Sequence, residues 1–261
     1  MGPISGEFTR SHRNQLIDLL DALSSATVEI PHDPGLPAVV WRCGPGWRMA
    51  ATTLMGGGLG ARHWVLNAQV PEGYGRSDPE EHLRELASAC GLRGPGVGML
   101  TAALVEDLAR SEDSGVSVLA TTGLGSRGLA AAAPSSRRHQ PGTINLIVAV
   151  PTALEDGALL NAIATATEAK SQALIQAGFA STGTATDAVC VAALRSGPRA
   201  SFGGPRSRWG APLARAVHDA VLEGTLTWLQ RNPRVIDELH PTDGFTPMAP
   251  PGSADPAPSA P

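Results

Sequence analysis

The chain has 261 residues, 42% of them apolar and 17% charged, with a formal net charge of −4. At about 150 residues per domain this suits one large domain or two small ones, and the apolar content supports a packed core rather than a disordered chain. The slightly acidic balance without a long basic block argues against a nucleic-acid partner, and the lack of an apolar run of about 18 residues or of a signal-peptide succession gives a membrane-free, cytoplasmic expectation.

Residues 1–10 show no periodicity and are expected to be a flexible leader or an expression scar. Ser11 to Ser24 reads as a helix, with Leu16, Leu19, Leu20 and Leu23 on one face. Ala38 to Cys43, Trp47 to Thr52 and His63 to Val70 read as strands joined by Gly-Pro-Gly and by the glycine-rich stretch Gly56 to Gly60. A helix opens at Asp78 or Pro79 and runs to about Cys90. Val97 to Ala102, Val116 to Thr122 and Thr143 to Val150 are strand-like, Leu154 to Ala177 is a long helix, Asp187 to Leu194 a buried strand, and Pro212 to Leu229 a closing amphipathic helix. From residue 239 onward Pro, Ala and Ser dominate, and a disordered tail is expected. The fold class is therefore α/β in the layered α+β sense: one domain over residues 11–238, with a mixed β-sheet flanked by helices.

Several chemistries fail on spacing. Cys43, Cys90 and Cys190 are odd in number and far apart, so reduced structural thiols are expected rather than a disulfide framework or thiolate metal site. Seven histidines form no metal-ligand pattern, and no G-x-S-x-G elbow is present. Gly123 to Gly128 spells G-x-G-x-x-G after a strand, but Pro134 and Pro141 soon interrupt and no acid follows before Glu155. A tight loop is expected there rather than a dinucleotide site, which needs a helix at the last glycine.

Lys170 is the sole lysine beside 19 arginines. At 100° per residue it falls amid the apolar arc of its helix, with Ile163, Ala166, Ala173 and Leu174, while Asn161, Thr165, Glu168 and Gln172 share another wedge. An ammonium there must snorkel, pair with a carboxylate or lose its proton, and Thr167 lies three residues earlier. Ser181 to Asp187 packs four hydroxyls and a carboxylate into seven residues. It reads either as an oxyanion-binding loop or as a turn whose Asp187 ties down backbone amides. Asn145 alternates with Ile144 and Leu146, so its amide needs a partner on one face, a substrate amide being one candidate.

Six stretches, in order over the 137 residues from Gly56 to Ala192, together resemble the CbiZ family of adenosylcobinamide amidohydrolases. They are Gly56 to Leu83, Val97 to Ala103, Thr121 to Ser126, Gly142 to Val148, NAIATATEAKSQAL from Asn161 and TGTATDAVCVA from Thr182. Ser126, in place of an expected Asn, and the stretch Phe202 to Gly210 depart from the family pattern. The resemblance implies hydrolysis of the amide that joins a corrinoid side chain to aminopropanol, giving adenosylcobyric acid in corrinoid (vitamin B12) salvage. It implies no cofactor, the cobalt belonging to the substrate, and leaves homo-oligomerisation open. Such chemistry needs an activated nucleophile, donors for the oxyanion and an acid for the amine. Glu168 or Asp187 is then the candidate base for an attacking water or hydroxyl and Lys170 the electrostatic partner, with Thr184 or Thr167 as covalent nucleophile the variant of that scheme. Asn145, Thr182, Thr186, His63, Asn67, Gln69 and Asn161 are the candidate substrate contacts. The alternatives are a corrinoid-binding protein without catalysis and an amidase of the same fold with another substrate.

Overall fold

The computed structural model describes residues 22–31, 35–132 and 142–238. The leader, most of the expected first helix (residues 11–21) and the tail from residue 239 lie outside them, as does the Pro134 to Pro141 segment.

Two sheets lie face to face, and helices cover both outer faces. The larger sheet has the order β4(Gly58–Arg62), β3(Trp47–Ala51), β12(Ala188–Leu194), β10(Ile144–Leu154), β8(Val116–Thr122), β7(Ala109–Asp113), with β13(Arg199–Ala200) added at the end of β10. The smaller has the order β1(Thr27–Glu29), β2(Ala38–Trp41), β5(Val65–Gln69), β6(Val97–Thr101), and β9(Arg127–Gly128) pairs with β11(Gly183–Thr184) as a separate ribbon. Each main sheet holds a parallel pair bridged by a helix: β5 and β6 by α1(Pro79–Ala89), β10 and β12 by α2(Asp156–Gln176). α3(Gly210–Arg231) lies beside α2 and covers β8 and β7.

The period-two alternation of strand side chains sets these layers. In β10, Leu146, Val148 and Val150 face Leu159, Ala166 and Val217 of the helices, whereas Ile147 and Ala149 face Val39, Val65 and Met99 of the other sheet. Val40 and Leu66 point outward onto Leu83 and Leu86 of α1. α1 opens with Pro79 at its first position and Glu80 and Glu81 in its first turn, where a missing N–H is harmless and negative charge is favourable. Alanines at 162, 166, 169 and 173 of α2, and at 216 and 220 of α3, let the two helices approach closely.

The layered α+β domain matches the expectation, with the strands divided between two sheets. Two further strands depart from simple sequence cues. The glycine-rich stretch from Gly58, expected as a connector, pairs along β3 as β4. β7 reads Ala-Arg-Ser-Glu-Asp, too polar to look like a strand, because it is the edge of its sheet and only Ala109 is buried. No helix opens at Gly128; the Gly123 to Gly128 loop instead enters β9 and is pinned to β11.

Candidate active site

β10 and β12 run parallel with Asn145 opposite Ala188, so Asp187, just before β12, stands beside the first residue of β10. Its Oδ1 accepts the Ile144 amide at 2.9 Å and the Thr184 hydroxyl at 2.5 Å. Its Oδ2 accepts the Thr184 amide at 3.1 Å and pairs with the Lys170 ammonium. The ion pair is buried, with 6% of the Lys170 side chain and 10% of the Asp187 side chain exposed. Lys170 reaches it from the apolar arc of α2, among Ala166, Ala169, Ala173 and Leu174. Of the fates open to that ammonium, the structure has pairing with a carboxylate. Asp187 also ties down two backbone amides, so the ion pair and the turn coexist.

Gly183 makes this approach feasible. Its φ of +149° suits glycine, and a Cβ there would run into both the Lys170 ammonium and the Asp187 carboxylate. The loop is held from the other side by Ser181, whose hydroxyl donates to the carbonyls of Gly128 at 3.0 Å and Gly183 at 2.9 Å. Thr182 Oγ1 accepts the Ala130 amide at 2.9 Å. The Gly123 to Gly128 stretch thereby forms one wall of the loop that carries Thr184.

A second polar group lies between the sheets. Asn145 Nδ2 donates to Asn67 Oδ1 at 2.8 Å and to the Leu100 carbonyl at 2.9 Å, and Asn67 Nδ2 donates to Thr121 Oγ1 at 2.9 Å. Both asparagines are about fully buried, at 1% exposure, and Asn145 Oδ1 has no partner among the described residues. This chain fixes the two sheets relative to one another beneath Thr143. The hydroxyls of Thr143 and Thr186 meet at its outer end, and Thr186 Oγ1 also donates to the Gly142 carbonyl at 3.3 Å.

Other sequence candidates lie apart from this group. Glu168 is exposed and, two residues before Lys170, points about 200° away around α2. Thr167 is exposed and donates to the Ile163 carbonyl at 2.9 Å. His63 precedes β5, four residues before Asn67, and its amide bonds the Pro95 carbonyl. Gln69 Oε1 accepts the Val105 amide at 2.9 Å. Asn161 lies nine residues before Lys170 on α2, about 13 Å toward the opposite end of the larger sheet. Thr121 and Ser181 also hold the group in place; in the sequence Ser181 stands only as one of the loop's four hydroxyls and Thr121 only within a family-like stretch.

Among the described residues no three His, Cys, Asp or Glu side chains converge as a metal-ligand group, and no helix is long and apolar enough to cross a membrane. Fold and site together define a layered α+β protein in which a hydroxyl, a carboxylate and an ammonium are linked at the strand ends. Residues 24–233 match the CbiZ family, described as adenosylcobinamide amidohydrolase, and the chain belongs to that family. It is 34% identical over 184 residues to the adenosylcobinamide amidohydrolase of Methanosarcina mazei, covering 67% of this chain and 88% of that protein. The Halobacterium salinarum protein of the same name is 32% identical over 186 residues, covering 68% and 79%. The crystal structure of the PH0078 protein from Pyrococcus horikoshii OT3 overlays with a TM-score of 0.39 and 12% identity, over 79% of this chain and 83% of that one.

Proposed function

We propose that this protein hydrolyses the aminopropanol amide of adenosylcobinamide to adenosylcobyric acid, and that Thr184 is the group that meets the acyl carbon. The observation that carries the placement is the 2.5 Å contact from the half-buried Thr184 hydroxyl to Asp187, itself held by Lys170 and two backbone amides. Four donors occupy the carboxylate, and of these only the Thr184 hydroxyl is both partly exposed and able to surrender its proton to it.

In this reading Thr184 Oγ1 attacks the amide carbon while its proton passes to Asp187. The C–N bond then breaks, and Asp187 returns the proton to the departing amine. Water cleaves the resulting Thr184 ester, releasing the carboxylic acid and restoring the hydroxyl. Lys170 balances the charge of Asp187 in the resting state and does not touch substrate. The amides of the exposed residues Ala185 and Thr186 are the proposed oxyanion donors. No resident metal is required by this scheme, and the cobalt is written as part of the substrate.

The test is product analysis by mass spectrometry with three proteins. Wild type should release aminopropanol, Thr184→Ser should retain turnover within about ten-fold, and Thr184→Val, which keeps the shape but loses the hydroxyl, should lose at least about a thousand-fold. Intact substrate with the wild type despite a perturbed corrinoid spectrum would identify a binding protein instead. Turnover by Thr184→Val near that of wild type would remove Thr184 from the chemistry.

A further inference from the structure

At the other end of the larger sheet, eight residues along β10 from Ile144 and so about 26 Å from Asp187, lies a cavity of about 830 Å³. Here the register of β12 on β10 shifts between Val150 and Ala153, β13 pairs with Ala153 and Leu154 beyond the end of the β8 ladder, and the chain from Ser201 to Trp209 lines the cavity. That segment is built rather than loose. The Thr165 hydroxyl, buried on α2, donates to the Gly203 carbonyl at 2.9 Å. A Cβ on Gly203 would collide with the Ala158 carbonyl, so glycine permits the close approach to α2. The Ser207 hydroxyl donates to the Gly204 carbonyl at 2.8 Å and accepts the Gly210 amide at 3.0 Å, fixing the entry to α3.

The charge of this cavity is one-sided. Arg199, Arg206 and Arg208 line it, and no Asp or Glu does. Several other arginines are matched to carboxylates, as in Arg42 with Glu29, Arg48 with Asp156 and Arg76 with Asp78, while Arg62, Arg110 and Arg195 donate to backbone carbonyls. Among the described residues the three cavity arginines have no carboxylate partner, and Arg208 instead lies over the Trp209 ring, 5.3 Å from its centroid. Three uncompensated guanidiniums on one rim repel each other and await a polyanion, whose oxygens their planar forks fit. Phe202 on the same rim is 75% exposed, a large apolar ring with nothing covering it, and Trp209 is the second aromatic surface.

We propose that this cavity is a binding site for a nucleoside polyphosphate, with the phosphates on the arginines and the base on Phe202 and Trp209. It is distinct from the hydrolytic centre, because the uncharged amides of cobinamide offer no anion for the arginines and the cavity lies far from Thr184. The proposal does not depend on the hydrolytic reading, since it is tested by binding alone.

The test is isothermal titration of the full chain at low salt with ATP, pyrophosphate and adenosine separately. ATP should bind, more weakly as salt rises, and tighter than either fragment by at least about ten-fold. Arg199→Gln with Arg206→Gln should weaken ATP by at least about ten-fold, while Phe202→Ala should weaken ATP and leave pyrophosphate unchanged. All three side chains are exposed, so melting temperatures and nucleotide-free amide hydrolysis should match wild type. Failure of ATP to bind at millimolar concentration, equal binding by the double arginine variant, or pyrophosphate binding as tightly as ATP would each overturn the proposal.

Discussion

Replacing Lys170 by Met tests whether the ion pair organises the site. Methionine keeps most of the apolar stem against Ala166, Ala173 and Leu174, so the change isolates the ammonium. What remains is an Asp187 carboxylate, 10% exposed, that has lost one of four donors. Removing one member of a buried pair costs about 3 to 5 kcal/mol, and three surviving donors place this case at the lower end, about 3 kcal/mol. For a domain of this size that corresponds to a fall of about 6 to 12 °C in melting temperature. Chemical denaturation followed by circular dichroism measures it, provided the slope is unchanged. Adding Asp187→Asn to Lys170→Met removes the stranded charge while keeping an acceptor, so the double variant should regain at least about 1 kcal/mol over Lys170→Met. It should not regain turnover. A loss below about 1 kcal/mol for Lys170→Met, with no coupling in the cycle, would refute a buried pair and leave a snorkelling lysine.

Gly183→Ala should cost about 2 kcal/mol or more, through its backbone angle and the intrusion of a methyl between Lys170 and Asp187, and turnover should fall with it; wild-type melting and activity would contradict the packing described. On the acid side, hydrogen bonding to Arg76 pulls Asp78 down from 3.8 to about 2 and lowers Glu85, while Arg42 and Arg215 do the same for Glu29 and Asp113. Folded values below unfolded ones mean stability that is present above about pH 4 and lost as pH falls toward about 2, so melting temperature should decline across that window and less so in Arg76→Ala. A flat profile, or a decline complete above pH 5, would contradict these pairings. Burial pushes the Cys43 thiol up to about 12 and raises Cys190 and Cys90 as well, so native protein at pH 8 should react slowly with a thiol reagent and give three equivalents once denatured. Rapid reaction of the native protein would show more open thiol sites.

The long strands and helices were readable because burial imposes strong patterns. Val116 to Thr122 is buried along its whole length and carries no charged residue, only small hydroxyls among β-formers, and the Lys170 position stood out because one cation interrupts an otherwise apolar arc. What escaped were features fixed by long-range pairing. β4 is glycine-rich and β7 is charged, and each is a strand only because a neighbour supplies the ladder. The candidate site divides in the same way. Lys170, Thr184 and Asp187 come together because the parallel register of β10 and β12 brings residue 187 beside 144. Glu168 adjoins Lys170 in sequence, but helical geometry turns it to solvent. Asn145 and Asn67, candidate substrate contacts on the sequence, hydrogen-bond each other across the sheet interface, a pairing that alternation along one strand could not reveal. The arginine cavity was foreshadowed only by Phe202 to Gly210 departing from the family pattern.

The central claim is that the chain opens an amide bond with water. Incubation of the wild-type protein with adenosylcobinamide in heavy-oxygen water, followed by mass spectrometry of the corrinoid product, tests it most directly. Hydrolysis predicts adenosylcobyric acid carrying one heavy oxygen in its carboxyl group, with an equal amount of free aminopropanol. Recovery of unlabelled, intact adenosylcobinamide after prolonged incubation with protein shown to bind it would contradict the account.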